Sequence, residues 1–129
     1  MKRTPALLLV LALAACSSTT QEASKAAAPT MSPASGAPGA SVTLTAADRT
    51  VVESAVRARL GQPAATFRTM IAQRDVNAVV VCGYVNPGAG DTPFIGMLNA
   101  DAFTVTDLGG PTERTIAVQK ACHGRGIYI

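Results

Sequence analysis

The chain has 129 residues, of which 48% are apolar and only 4% aromatic, and it carries a formal net charge of +3. That length suits one small domain with terminal extensions rather than several domains. Nucleic-acid binding needs a dense basic face with rings for stacking. Here Arg49, Arg57, Arg59, Arg68 and Arg74 are spread out and interleaved with Asp48, Glu53 and Asp75, so they read as a solvated surface and no nucleic-acid partner is expected.

The N-terminus has the three-part shape of a secretory signal. Lys2 and Arg3 form a positive start, and residues 6–13 are an unbroken apolar run. A helix crossing a membrane needs about 20 apolar residues, so the run is a signal core and not an anchor. Leu13-Ala14-Ala15-Cys16 follows: a branched residue, two small ones and a cysteine. This tetrapeptide resembles the lipobox of bacterial lipoproteins. The resemblance implies that the Cys16 thiol is diacylglycerylated, that residues 1–15 are removed and that the new amine is acylated. The membrane is then the first partner, reached through acyl chains on Cys16. Each buried methylene contributes about 0.8 kcal/mol, and two or more chains hold stably. Ser17 stands where, in that family, an aspartate retains the protein in the inner membrane, which implies the outer membrane, facing the periplasm. The competing reading is an ordinary secretory signal with an incidental cysteine. Loss of Lys2 and Arg3 leaves the remaining chain close to neutral.

Residues 17–41 are nearly all Ala, Ser, Thr, Pro and Gly, with Pro29, Pro33 and Pro38 along them and Met31 as the one bulky apolar side chain. Such a composition lacks the surface to bury for a core. The expected organisation is a signal peptide over 1–15, a lipidated cysteine and flexible tether over 16–44, and a small α+β domain over 45–129. As a random coil, a tether of about 25 residues spans roughly 25–30 Å.

Within the domain, Thr45-Ala46-Ala47-Asp48 resembles a capping box, and Val52, Val56 and Leu60 recur every four residues with Ala55 beside them. Gly61 and Pro63 close this helix, predicted over 46–60. The period then changes to two: Ala65, Phe67, Thr69 and Ile71 alternate with Thr66, Arg68, Met70 and Ala72, as in a half-buried strand. After a turn at 74–77, residues 78–85 are β-branched and apolar on both faces, which suits a central strand. Residues 86–91 are a loop by their Asn, Pro and Gly content. Two further strands are predicted over 94–98 and 102–106. Residues 112–121 suit either state: Thr115, Val118 and Cys122 share a helical face, whereas Ile116 and Val118 alternate as in a strand. Helix is preferred, ended by Gly124 and Gly126, with Ile127-Tyr128-Ile129 docking as an apolar tail. The fold expected is therefore α+β: an N-terminal amphipathic helix, about four antiparallel strands and a C-terminal helix.

With Cys16 committed to lipid, Cys82 and Cys122 remain as an even pair, expected to form a disulfide in an oxidising compartment. A metal or redox site is the alternative, but no CxxC spacing supports it. Val81-Cys82-Gly83-Tyr84-Val85-Asn86, the Gly-rich loop, Phe94-Ile95-Gly96 and the late Cys122 resemble a group of small proteobacterial periplasmic proteins and lipoproteins with a C-G-x-V-N motif. That resemblance implies the fold and the disulfide but carries no catalytic residues.

No catalytic set, metal set or cofactor motif emerges. Asn86, Gly88, Gly90 and Asp91 form the candidate binding loop, because loops on a rigid sheet often carry function; the alternative is a plain connection. Their Gly-x-Gly lacks the lysine and helix of a phosphate loop. Gly83 inside a strand marks a bulge or a close approach by backbone or ring. His123, the single histidine, suits the end of a helix. The function expected is a non-enzymatic tethered domain that binds a protein, glycan or other envelope component. The alternatives are a small-ligand or metal binder using Met70, Met97 and His123, and an inhibitor of an envelope hydrolase.

Overall fold

The structure, a computed structural model, describes residues 37–129. The signal segment, Cys16 and most of the tether lie outside the described residues. The elements in chain order are β1 (Ser41–Val42), α1 (Ala46–Leu60), β2 (Thr66–Arg74), β3 (Val79–Asn86), β4 (Thr92–Asn99), β5 (Ala102–Leu108) and α2 (Thr112–Gly124). The strands form one antiparallel sheet in the order β1-β2-β3-β4-β5. Two apolar clusters lie on opposite faces of it, one built with α1 and the other with α2. The domain is α+β.

The sheet has five strands where about four are expected, and the additional one, Ser41–Val42, falls inside the range assigned to the tether. It is held by main-chain bonds: Gly39 N donates to Arg74 O at 2.7 Å and Arg74 N to Ala40 O at 2.9 Å. Such bonds need no apolar side chain, so composition does not reveal them. Val42 adds a partly buried contact to the core.

Local signals account for α1. The Thr45 hydroxyl accepts from the Asp48 N–H at 3.1 Å, and the Asp48 carboxylate accepts from the Thr45 N–H at 2.8 Å. These bonds satisfy two groups that a bare helix start leaves open. Gly61 closes the other end in the left-handed region at φ 66°. Val52 and Val56 are wholly buried against the sheet.

The alternation expected for β2 is broken by a bulge. Phe67 pairs with Val85 and Met70 with Gly83, so Arg68 and Thr69 together face the single residue Tyr84. The extra residue shifts the phase. Phe67 therefore shares the α1 face with Met70 and Ala72, while Ile71, expected beside Phe67, lies on the α2 face. Gly83 is the partner that permits this. A Cβ there would sit 2.9 Å from Thr69 O and 3.0 Å from Phe94 Cζ.

β3 is the central strand, and Val79–Gly83 and Val85 are all buried. On the α1 side, Phe94 stands edge-on to Phe67 (centroids 6.1 Å) and to Phe103 (6.3 Å), a row of rings across the sheet. Gly96 leaves room for the last of these: a Cβ on it would meet Phe103 Cζ at 2.2 Å.

Residues 112–124 are helical, which resolves the ambiguity in favour of the preferred state. Val118 and Cys122 are buried and Thr115 half-buried, whereas Ile116 is 44% exposed. Cys122 is bonded to Cys82, so the disulfide ties α2 to the central strand across a sequence separation of 40. Ile127 is buried beside it, and Ile129 packs on the same cluster.

Candidate functional site

On its face of the sheet, α2 lies over β4 and β5. Over β2 the covering is supplied instead by the C-terminal segment, through Ile127 and Ile129 against Ile71. Between this segment and the strands runs a groove of about 360 Å³, lined by Arg68, Thr69 and Ile71 of β2, Tyr84 of β3, Asp91, Tyr128 and Ile129. The β2 bulge brings two consecutive side chains, Arg68 and Thr69, to the same groove.

The rim carries a charge pair that cancels itself. Arg68 Nε lies 3.0 Å from Asp91 Oδ2, with the arginine side chain 67% exposed and the carboxylate 32%. Asn86 Nδ2 steadies the same carboxylate, donating to Oδ1 at 3.3 Å. The Tyr84 hydroxyl accepts from Gln119 Nε2 at 2.8 Å, which leaves its own proton free to donate. Tyr128 is 73% exposed and stacks at a tilt on His123, with centroids 5.0 Å apart.

The candidate loop divides in its roles. Asn86 Oδ1 accepts from the Gly88 N–H at 2.7 Å, a local turn that braces the loop. Gly88 and Gly90 have φ of 111° and 123°, values that disfavour side chains. These three shape the loop, and of the four candidates only Asp91 lines the groove. Arg68, Tyr84 and Tyr128 are not among the candidate site residues read from the sequence, where Arg68 counts as solvated surface and Tyr128 as part of a docking tail. A compositional hint existed: the chain has two tyrosines and both line this groove, while its three phenylalanines pack in the core.

A larger depression, about 560 Å³, lies along α1 near Thr50, Ser54, Arg57 and Pro63. Its arginine is spent on structure: Arg57 donates to Ala65 O at 3.1 Å, pairs with Glu53 and covers the Phe67 ring at 4.9 Å. The smaller groove keeps unspent polar groups and is the better candidate. Met70, Met97 and His123 do not come together as one set, because Met70 lies on the opposite face of the sheet from the other two. Met70 belongs to the α1-side core, whereas Met97 shares the opposite face with Ile95, and His123 is exposed at the end of α2.

The groove wall depends on how the C-terminal segment is held. Gln73 Nε2 donates to Gly126 O at 3.0 Å, and Arg125 pairs with Asp75. The Val76 N–H donating to the Asp75 carboxylate, and then the Arg125 guanidinium, hold that carboxyl below its ordinary value. A folded-state value below the unfolded one means stabilisation that is present above the ordinary carboxylate range and lost as pH falls through the folded value. We expect the Asp75 midpoint, followed by carboxyl NMR, to rise in Arg125→Ala while staying below the ordinary value, because the Val76 bond remains. An unmoved midpoint means that Arg125 does not engage Asp75 in solution.

Comparison of the chain with protein-family models, with curated proteins and with solved structures gives no match in any of the three.

Proposed function

We propose that the chain is a cell-envelope lipoprotein, held by acyl chains on Cys16 in the outer membrane and facing the periplasm, whose domain is a non-enzymatic binding module for an envelope component. The address rests on Lys2, Arg3, the apolar run and the Leu13-Ala14-Ala15-Cys16 tetrapeptide. The binding role rests on one observation: both tyrosines, a self-neutralised Arg68–Asp91 pair and an apolar floor meet in a single groove. Tyrosine and arginine are enriched where proteins hold partners, because each offers a large, partly apolar surface with a polar end.

Photo-crosslinking in cells tests both parts, using the full chain with a crosslinker at Thr69. The expected result is a discrete crosslinked envelope component that is lost in Tyr128→Ala and depleted in Cys16→Ser, the latter also failing to incorporate labelled palmitate. Crosslinking that ignores Tyr128 removes the groove from the function. Palmitate incorporation by Cys16→Ser overturns the anchor.

A further inference from the structure

We infer that the groove between β2, β3 and the C-terminal segment is a saccharide site, taking an uncharged pyranose unit of a larger envelope glycan; this rests on the binding-module reading above. A pyranose ring has two chemically different surfaces. One is a face of C–H groups, which packs on an aromatic ring; the other is a rim of hydroxyls, each needing a donor and an acceptor. The groove supplies both surfaces.

Tyr128 presents a largely exposed ring, with Ile71 and Ile129 beside it as apolar surface. At the rim, Asp91 accepts, while the Tyr84 hydroxyl keeps a proton to donate. Arg68 engages Asp91 through Nε, and among the described residues its terminal nitrogens make no hydrogen bond. Donors and an acceptor are therefore set side by side, as a hydroxyl rim requires.

Charge and size favour this occupant over the others. Arg68 and Asp91 cancel, so nothing in the groove selects an anionic or cationic ligand. A volume of about 360 Å³ lies at the small end of ligand sites, which run from about 300 to 1,000 Å³. It suits a mono- or disaccharide rather than the broad patch of a protein interface. Strand addition along the neighbouring edge of β2 is also disfavoured. β1 pairs only with Ala72 and Gln73, and the bulge at Arg68 and Thr69 interrupts the regular ladder that an added strand would follow.

The test is a titration of the isotope-labelled full chain, kept in a detergent without a sugar headgroup, with cellobiose and with N,N′-diacetylchitobiose. Amide shifts are expected at Arg68, Thr69, Tyr84, Asp91 and Tyr128. Affinity should fall about tenfold in Tyr128→Ala and be retained in Tyr128→Phe, which keeps the ring. Shifts at these residues that ignore Tyr128→Ala, or shifts confined to other surfaces, overturn the inference. If neither sugar binds but Tyr128-dependent crosslinking to a protein persists, the binding-module reading stands and the saccharide inference falls. If both are absent, both fall.

Discussion

Opening the Cys82–Cys122 bond is expected to cost about 4 kcal/mol. The bond closes a loop with a sequence separation of 40, and the chain-entropy relation gives about that value for a loop of this size. Small domains have about 5–15 kcal/mol in total, so the loss is a large fraction of the whole. In temperature it corresponds to roughly 15–30 °C, at about 4–8 °C per kcal/mol. The double variant Cys82→Ala, Cys122→Ala should show this drop, and reductant should impose a similar one on the parent protein while leaving the variant unmoved. The damage should also be local. Val118, Cys122 and Ile127 are the fully buried side chains that attach α2 and the C-terminal segment to the sheet. Hydrogen exchange is therefore expected to rise first in α2 and in residues 125–129, ahead of β3 and β4. Because Tyr128 sits on that segment, binding in the groove should weaken before global unfolding. A parent protein whose melting temperature ignores reductant means that the bond does not form.

Much of the fold is legible where local chemistry and tertiary packing agree. α1 declares both its ends, through Thr45 and Asp48 at the start and Gly61 at the finish, and its buried stripe follows from Val52 and Val56. β3 reads as central because both of its faces are apolar, and both are buried. The failures share a different cause. β1 is held by backbone bonds to Arg74, which leave no trace in side-chain composition. The β2 bulge reverses the phase of a strand whose apolar residues, Phe67, Met70, Ile71 and Ala72, fit either alternation. Gly83 is the clue to it, yet that residue lies on the partner strand, so the signal is visible only once the pairing is known. The groove is less legible still. It needs the bulge to aim Arg68 and Thr69, and the clamp of Gln73 and Asp75 to set Tyr128 in place. Asp91 alone was within reach of a local reading, as part of a loop between strands.

Truncating Phe94 should cost about as much as losing the disulfide, and through a different mechanism. Its side chain is fully buried, touches rings on both sides and lies over the gap that Gly83 leaves in β3. Phe94→Ala removes those contacts and leaves a cavity that strands on both sides cannot close, for which about 3–5 kcal/mol is typical. Urea unfolding should give a lower midpoint with an unchanged slope. Gly83→Ala is also destabilising on its own, since the added Cβ would stand 3.0 Å from Phe94 Cζ and 2.9 Å from Thr69 O. The two losses should not add. With the ring gone, the new methyl group loses one of its two rigid obstacles and occupies part of the vacated space, so Gly83→Ala costs less in the Phe94→Ala background than in the parent. A double-mutant cycle measures that difference. Strict additivity would mean that the contacts with β2, Thr69 O at 2.9 Å and Met70 Cγ at 3.0 Å, set the cost at Gly83, making the glycine a requirement of the bulge and not of the aromatic row.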